Sequence, residues 1–99
     1  MSELIYFIHP PRDNFAATMT EEEVAVWDVH FERFKRLLAD GVIVLVGPTL
    51  GPKNTGIAIL EALDEASAQR IMDEDPVIAG GFVRGELRPF RVSLMRGRD

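Results

Sequence analysis

At 99 residues the chain has room for one domain of about 100 residues and not for two, so a single domain over residues 1–99 is expected. Its 46% hydrophobic and 27% charged residues are the balance of an ordinary globular protein, which excludes a disordered or membrane-embedded chain. A formal charge of −5 and the lack of cysteine exclude a basic nucleic-acid-binding surface, disulfides, thiolate metal sites and cysteine nucleophiles, and they fit a reducing, cytoplasmic setting.

Glu3 to His9 opens the chain with the bulky β-prone residues Leu4, Ile5, Tyr6, Phe7 and Ile8, and Pro10-Pro11 closes this first strand. The start MSELIYFIHPP has neither the basic head nor the apolar core of an export signal. Thr20 followed by Glu23 has the spacing of a capping box, because the Thr20 hydroxyl can accept from the Glu23 amide while the Glu23 side chain reaches back. The helix that starts there carries Val24, Trp27, Phe31, Phe34 and Leu38 at steps of three and four, which predicts one apolar stripe. Gly41 ends it.

Val42 to Val46 is an apolar run of strand length, too short to cross a membrane, and its lack of alternation predicts a strand covered on both faces. Gly51 to Gly56 is turn chemistry, and Ile57 to Leu63 resumes as a strand, which makes a hairpin. Asp64 is placed to cap a second helix from Glu65 to about Asp75, with Ala68, Ile71 and Met72 inward. Phe82 to Met95 reads as a last strand with Phe90, Val92 and Leu94 on one face, and Pro89 puts it at a sheet edge because proline cannot donate to a ladder. The arginines Arg84, Arg88, Arg91, Arg96 and Arg98 divide between its faces and read as solvated charge.

The order strand, helix, strand, strand, helix, strand predicts an α+β, ferredoxin-like β-α-β-β-α-β domain with a four-stranded antiparallel sheet in the order 4-1-3-2. The two helices can cover only one face of that sheet. The uncovered face and the uncharged second strand at the other edge call for a second sheet, and an identical subunit is the economical cover, so a homodimer is expected.

His30 lies three residues after Trp27 and four before Phe34, on the flank of the stripe, where an imidazole can look into the space between helix and sheet and act as acid or base near neutral pH. A histidine that only hydrogen-bonds a nearby carbonyl is the competing reading. Asp75 falls on the inner face of the second helix if that helix continues, and it could orient His30. Asp75-Pro76 also has the form of an N-cap and first-turn proline of a new short helix. His9 beside two prolines reads as an exposed loop side chain, and the two histidines lack metal-ligand spacing. Arg12, in the loop after the first strand, is either solvated or a contact for an anionic substrate. No glycine pair has the strand-turn-helix context of a phosphate fingerprint, so no cofactor is expected, and no metal.

The stretch FAATMTEEE from Phe15 to Glu23, then His30-Phe31, Asp40-Gly41, Gly47-Pro48, Asp75-Pro76 and Glu86 to Phe90 together resemble the YCII-related family over nearly the whole chain. The resemblance implies a dimeric α/β-barrel of two ferredoxin-like subunits and singles out His30 and Asp75 as a catalytic pair. Relatives in the wider family include lactone-processing enzymes of aromatic degradation, among them a chloromuconolactone dehalogenase. Val77 stands where the family often has an aromatic residue, and Pro11-Arg12-Asp13 departs from its arginine-proline pair. The expected function is a lyase or isomerase that moves a proton on a lactone or similar small organic acid, with His30 as acid or base, Asp75 as its orienter and Arg12 as a substrate contact. The alternative is a dimeric, non-catalytic ligand-binding domain in which His30 and Asp75 merely satisfy one another.

Overall fold

The computed structural model describes residues 1–98. Strand β1 (Ser2–His9) is followed by a single 3-10 turn (Phe15–Ala17), helix α1 (Glu21–Ala39), strands β2 (Ile43–Pro48) and β3 (Gly56–Ala62), helix α2 (Glu65–Asp73), the short helix α3 (Pro76–Ala79) and strand β4 (Arg84–Phe90). All neighbouring strands are antiparallel, in the order β2-β3-β1-β4, which is the expected 4-1-3-2 arrangement. Strict alternation along β1 turns Leu4, Tyr6 and Ile8 toward the helices, where they join Leu60, Phe34, Ala68 and Met72 in the core. Ile5 and Phe7 point the other way, across from Ile59 and Ile57.

The Thr20–Glu23 capping box forms as its spacing implied, with the Glu23 amide 3.1 Å from the Thr20 hydroxyl and the Thr20 amide 2.8 Å from the Glu23 carboxylate. The inner face of α1 differs from the expected stripe. It runs through Glu23, Trp27, His30, Phe34 and Leu37, while Val24, Phe31 and Leu38 are about half exposed. Trp27 and Phe34 belong to both stripes, and the helix is turned about its axis so that two polar residues replace apolar ones inside. Burial of Glu23 and His30 is tolerable because each has a partner, Arg12 and Asp75 respectively.

Three other elements depart from expectation. β2 starts at Ile43 and is not a smooth, doubly covered strand: its pairing with β3 slips between Ile43 and Leu45, and Leu45 and Val46 remain exposed at the sheet edge. α2 stops at Asp73, because the extended backbone of Asp75 before Pro76 cannot continue a helix. β4 ends at Phe90 rather than Met95, since its last partner is Glu3 near the start of β1 and no strand among the described residues lies alongside residues 91–95. Pro89 does sit on an edge strand. No helix of the described residues is long and apolar enough to cross a membrane.

Candidate active site

α1 and the N-cap of α3 bring His30 and Asp75 together. The imidazole Nδ1 lies 2.8 and 2.9 Å from the two carboxylate oxygens of Asp75, and both residues are buried, Asp75 completely. Asp75 accepts two further hydrogen bonds, from the Tyr6 hydroxyl to Oδ2 at 2.8 Å and from the Val77 amide to Oδ1 at 3.2 Å. Capping and pairing with histidine, which the sequence posed as alternatives, are thus met by the same carboxylate. Burial first, and then the charge of Asp75, push the Tyr6 phenol far above its ordinary range, so it keeps its proton and donates.

A carboxylate that accepts from Tyr6 and Val77 is an acceptor toward the imidazole as well, which assigns the Nδ1 proton to the Asp75 side. Nε2 is left over. It has no hydrogen-bond partner among the described residues and is not sealed from solvent. His30 lines a cavity of about 230 Å³ between α1, the Phe15 turn and the β2–β3 end of the sheet. Phe15, Trp27, Phe31 and Phe34 form aromatic walls, and Val46 and Pro48 line the side toward β2. The Trp27 and Phe34 rings stand 4.7 and 4.2 Å, centre to centre, from the imidazole. His30 is the single ionisable residue among those that line this cavity. Asp75 does not share the wall but stands behind the imidazole. An apolar cavity of roughly 150 Å³ already admits a benzene ring, so this one has room for a single substituted ring.

Arg12 lies outside the cavity lining and braces it. Its guanidinium bonds both Glu23 carboxylate oxygens at 2.9 and 2.7 Å, reaches the Thr18 hydroxyl at 3.1 Å, and packs over the Phe15 ring at 5.1 Å. These bonds from Arg12, and then the Thr20 amide, hold the Glu23 carboxyl down at about 2. Asn54 ties the rim together: its carbonyl accepts from the Ala16 amide at 3.1 Å and its amide donates to Gly51 at 3.1 Å. His9 is not an exposed loop residue. It ends β1, half-buried on the open sheet face, stacked on Phe7 and 2.8 Å from Glu86. Among the described residues no group of three or more His, Cys, Asp or Glu side chains converges to hold a metal ion.

Sequence reasoning missed Tyr6 and Asn54. A signal for Tyr6 was present, since alternation from Leu4 to Ile8 points its ring inward, and a buried tyrosine hydroxyl needs a partner. For Asn54 there was none, because its contacts depend on how two loops meet.

Comparison with known families finds a match of the YCII-related domain to residues 4–91. Among solved structures, 5-chloro-2-hydroxyhydroquinone dehydrochlorinase from Burkholderia phenoliruptrix, in complex with 2,5-dihydroxybenzoquinone, aligns over 100% of both chains with a TM-score of 0.67 at 20% identity, a likeness of fold. No curated protein matches the chain.

Proposed function

Because this chain belongs to the YCII-related domain family, we propose that it is a small-molecule enzyme of lyase or isomerase type, with His30 as its acid-base catalyst and Asp75 as the residue that orients and charge-stabilises the imidazole. One observation carries this reading: Nδ1 is held by a buried carboxylate, Nε2 has no hydrogen-bond partner among the described residues, and the ring itself lines an aromatic-walled cavity. Nε2 in its neutral form takes a proton from the substrate, and Asp75 stabilises the imidazolium that results. In an isomerisation the same nitrogen returns the proton to a second atom. In an elimination the electron pair released forms the new double bond, and the leaving group departs with the electrons of its own bond.

A lactone or similar small cyclic acid fits the cavity's size and flat aromatic walls, and a quinone ring bound by a protein of the same fold supports a planar substrate. Arg12 enters this reading through Phe15, whose ring it holds against the cavity. The working unit is a homodimer. The face of the sheet away from the helices carries Ile5, Phe7, Ile57, Ile59 and Leu45 in adjoining register, a patch that a second copy of the same sheet would cover.

The test is to incubate the protein in D2O with monocyclic hydroxyquinols, their chlorinated derivatives and unsaturated lactones, and to follow deuterium uptake and chloride release by NMR. Trp27, the chain's only tryptophan, reports binding by fluorescence from the cavity wall. His30→Gln should keep binding and lose about 10²–10⁴-fold in turnover. Turnover unchanged in His30→Gln would overturn the assignment, and binding without turnover of any compound would favour the ligand-binding domain.

A further inference from the structure

Tyr6 is the one buried polar side chain of the His30–Asp75 cluster that the acid-base reading leaves without a task. Its ring is fully buried, set edge-on to Phe34 with centres 6.0 Å apart, and its hydroxyl hydrogen bond goes to Asp75 Oδ2. A phenylalanine would fill nearly the same space. Resting on the acid-base reading of His30, we infer that Tyr6 is a positioning residue, whose hydroxyl keeps Asp75 charged and turned toward Nδ1 so that Nε2 is the nitrogen free to take a proton in the cavity.

Asp75 has three donors around it: the Val77 amide on Oδ1, the Tyr6 hydroxyl on Oδ2, and the imidazole shared between both oxygens. A fully buried carboxylate stays ionised only while hydrogen bonds replace the water it has lost. Without the Tyr6 hydroxyl, Oδ2 keeps only the imidazole contact. The carboxyl then gains from holding a proton of its own, and a protonated carboxyl donates to Nδ1. That reverses the imidazole: with one proton taken up from solvent across the pair, Nδ1 becomes the acceptor, Nε2 carries the ring proton, and the cavity no longer contains a base. The phenol cannot take over as the anion, since burial and the Asp75 charge both oppose its ionisation. The other charged groups that act on the phenol, Arg33 of α1 and Asp73 at the end of α2, oppose one another, Arg33 favouring its ionisation and Asp73 disfavouring it.

Two replacements of Tyr6 in the full chain test this, read first by long-range nitrogen-proton NMR of the His30 ring in its neutral form. The unmodified protein should show the proton on Nδ1, and Tyr6→Phe should shift population toward the Nε2-protonated form. With an active substrate, turnover should fall about ten- to a hundredfold, the acid limb of the pH profile should move, and KM should stay nearly constant. Tyr6 is the only tyrosine in the chain, so biosynthetic incorporation of 3-fluorotyrosine alters this hydroxyl alone and nearly preserves its shape, which covers the case of a poorly folded Tyr6→Phe. Its stronger donor should displace the Nδ1 proton resonance of His30. An imidazole unchanged in both proteins would overturn the inference even if His30→Gln abolishes turnover. A shifted tautomer in a protein that turns over nothing would support it and count only against the enzyme reading.

Discussion

Asp75→Ala removes the acceptor of three donors at once and leaves the Tyr6 hydroxyl, the Val77 amide and the His30 Nδ1–H without a partner in a site closed to water. Each orphaned buried donor costs about 1–3 kcal/mol, and loss of the α3 cap is part of the same count at about 1 kcal/mol. The losses overlap, because the donors share one carboxylate, so they do not simply add. The expected destabilisation is about 3–5 kcal/mol, below the simple sum of three orphaned donors and a lost cap. Set against a total of about 5–15 kcal/mol for a domain, that brings the variant close to unfolding. Asp75→Asn keeps the shape, the cap and one acceptor oxygen, and should lose about 1–2 kcal/mol. Urea denaturation at fixed protein concentration measures both, with equal m-values required for the comparison. If the alanine variant came within about 1 kcal/mol of the asparagine variant, the three donors would have other partners and the network would not be what holds this corner of the fold.

Glu23 gives a pH signature: its carboxyl, ordinarily near 4.5, is held down at about 2 in the folded chain, so its contribution is complete above about 4.5 and is lost as pH falls toward 2. Glu23→Gln should therefore flatten the acid decline of the urea midpoint in that window, and an unchanged slope would show that the Glu23 carboxyl is not held down in the folded chain. Ile59 faces Ile5 and Leu45 at the middle of the open sheet face, so Ile59→Lys should convert the proposed dimer to a monomer in sedimentation velocity; an unchanged dimer mass would place the contact elsewhere, and a monomeric unmodified protein would overturn the dimer itself.

The strand order was legible because each strand carries its own signal: β-prone runs, a turn-rich stretch from Gly51 to Gly56, and Pro89 marking an edge. The cap of α1 was legible because Thr20 and Glu23 act across three residues. What local pattern misled was the face of α1. Hydrophobic periodicity weighs Val24, Phe31 and Leu38 as inward, leaves Glu23 outside and puts His30 only on the flank, whereas full burial was decided by partners 45 residues away for His30 and 11 for Glu23. The same limit applies to Asp75. Its two readings were both visible, but that one carboxylate serves as cap and as partner follows from the approach of α1 to α3, which no spacing along the chain encodes. β4 ended early for a similar reason, since a strand lasts only as long as its neighbour.

The cluster of Tyr6, His30 and Asp75 is hard to explain by stability alone. A buried carboxylate with its hydrogen-bond partners is commonly no better for stability than apolar side chains of the same volume, because the cost of desolvation offsets the bonds it makes. Capping α3 requires only a short acceptor at position 75, and asparagine, serine or threonine would do. An aliphatic residue at position 30 would join Phe34 and Trp27 on the inner face without needing a partner. What all three side chains achieve together is directional: one imidazole nitrogen is occupied and the other is presented to a cavity whose walls are mainly apolar. For the proposed chemistry those walls would matter, because excluding water would strengthen the Asp75–imidazole interaction when charge develops on the ring. On the acid-base function proposed for His30, a substrate ring seated against Trp27 and Phe34 would complete that exclusion, and binding would be coupled to activation of the base through the same aromatic surface.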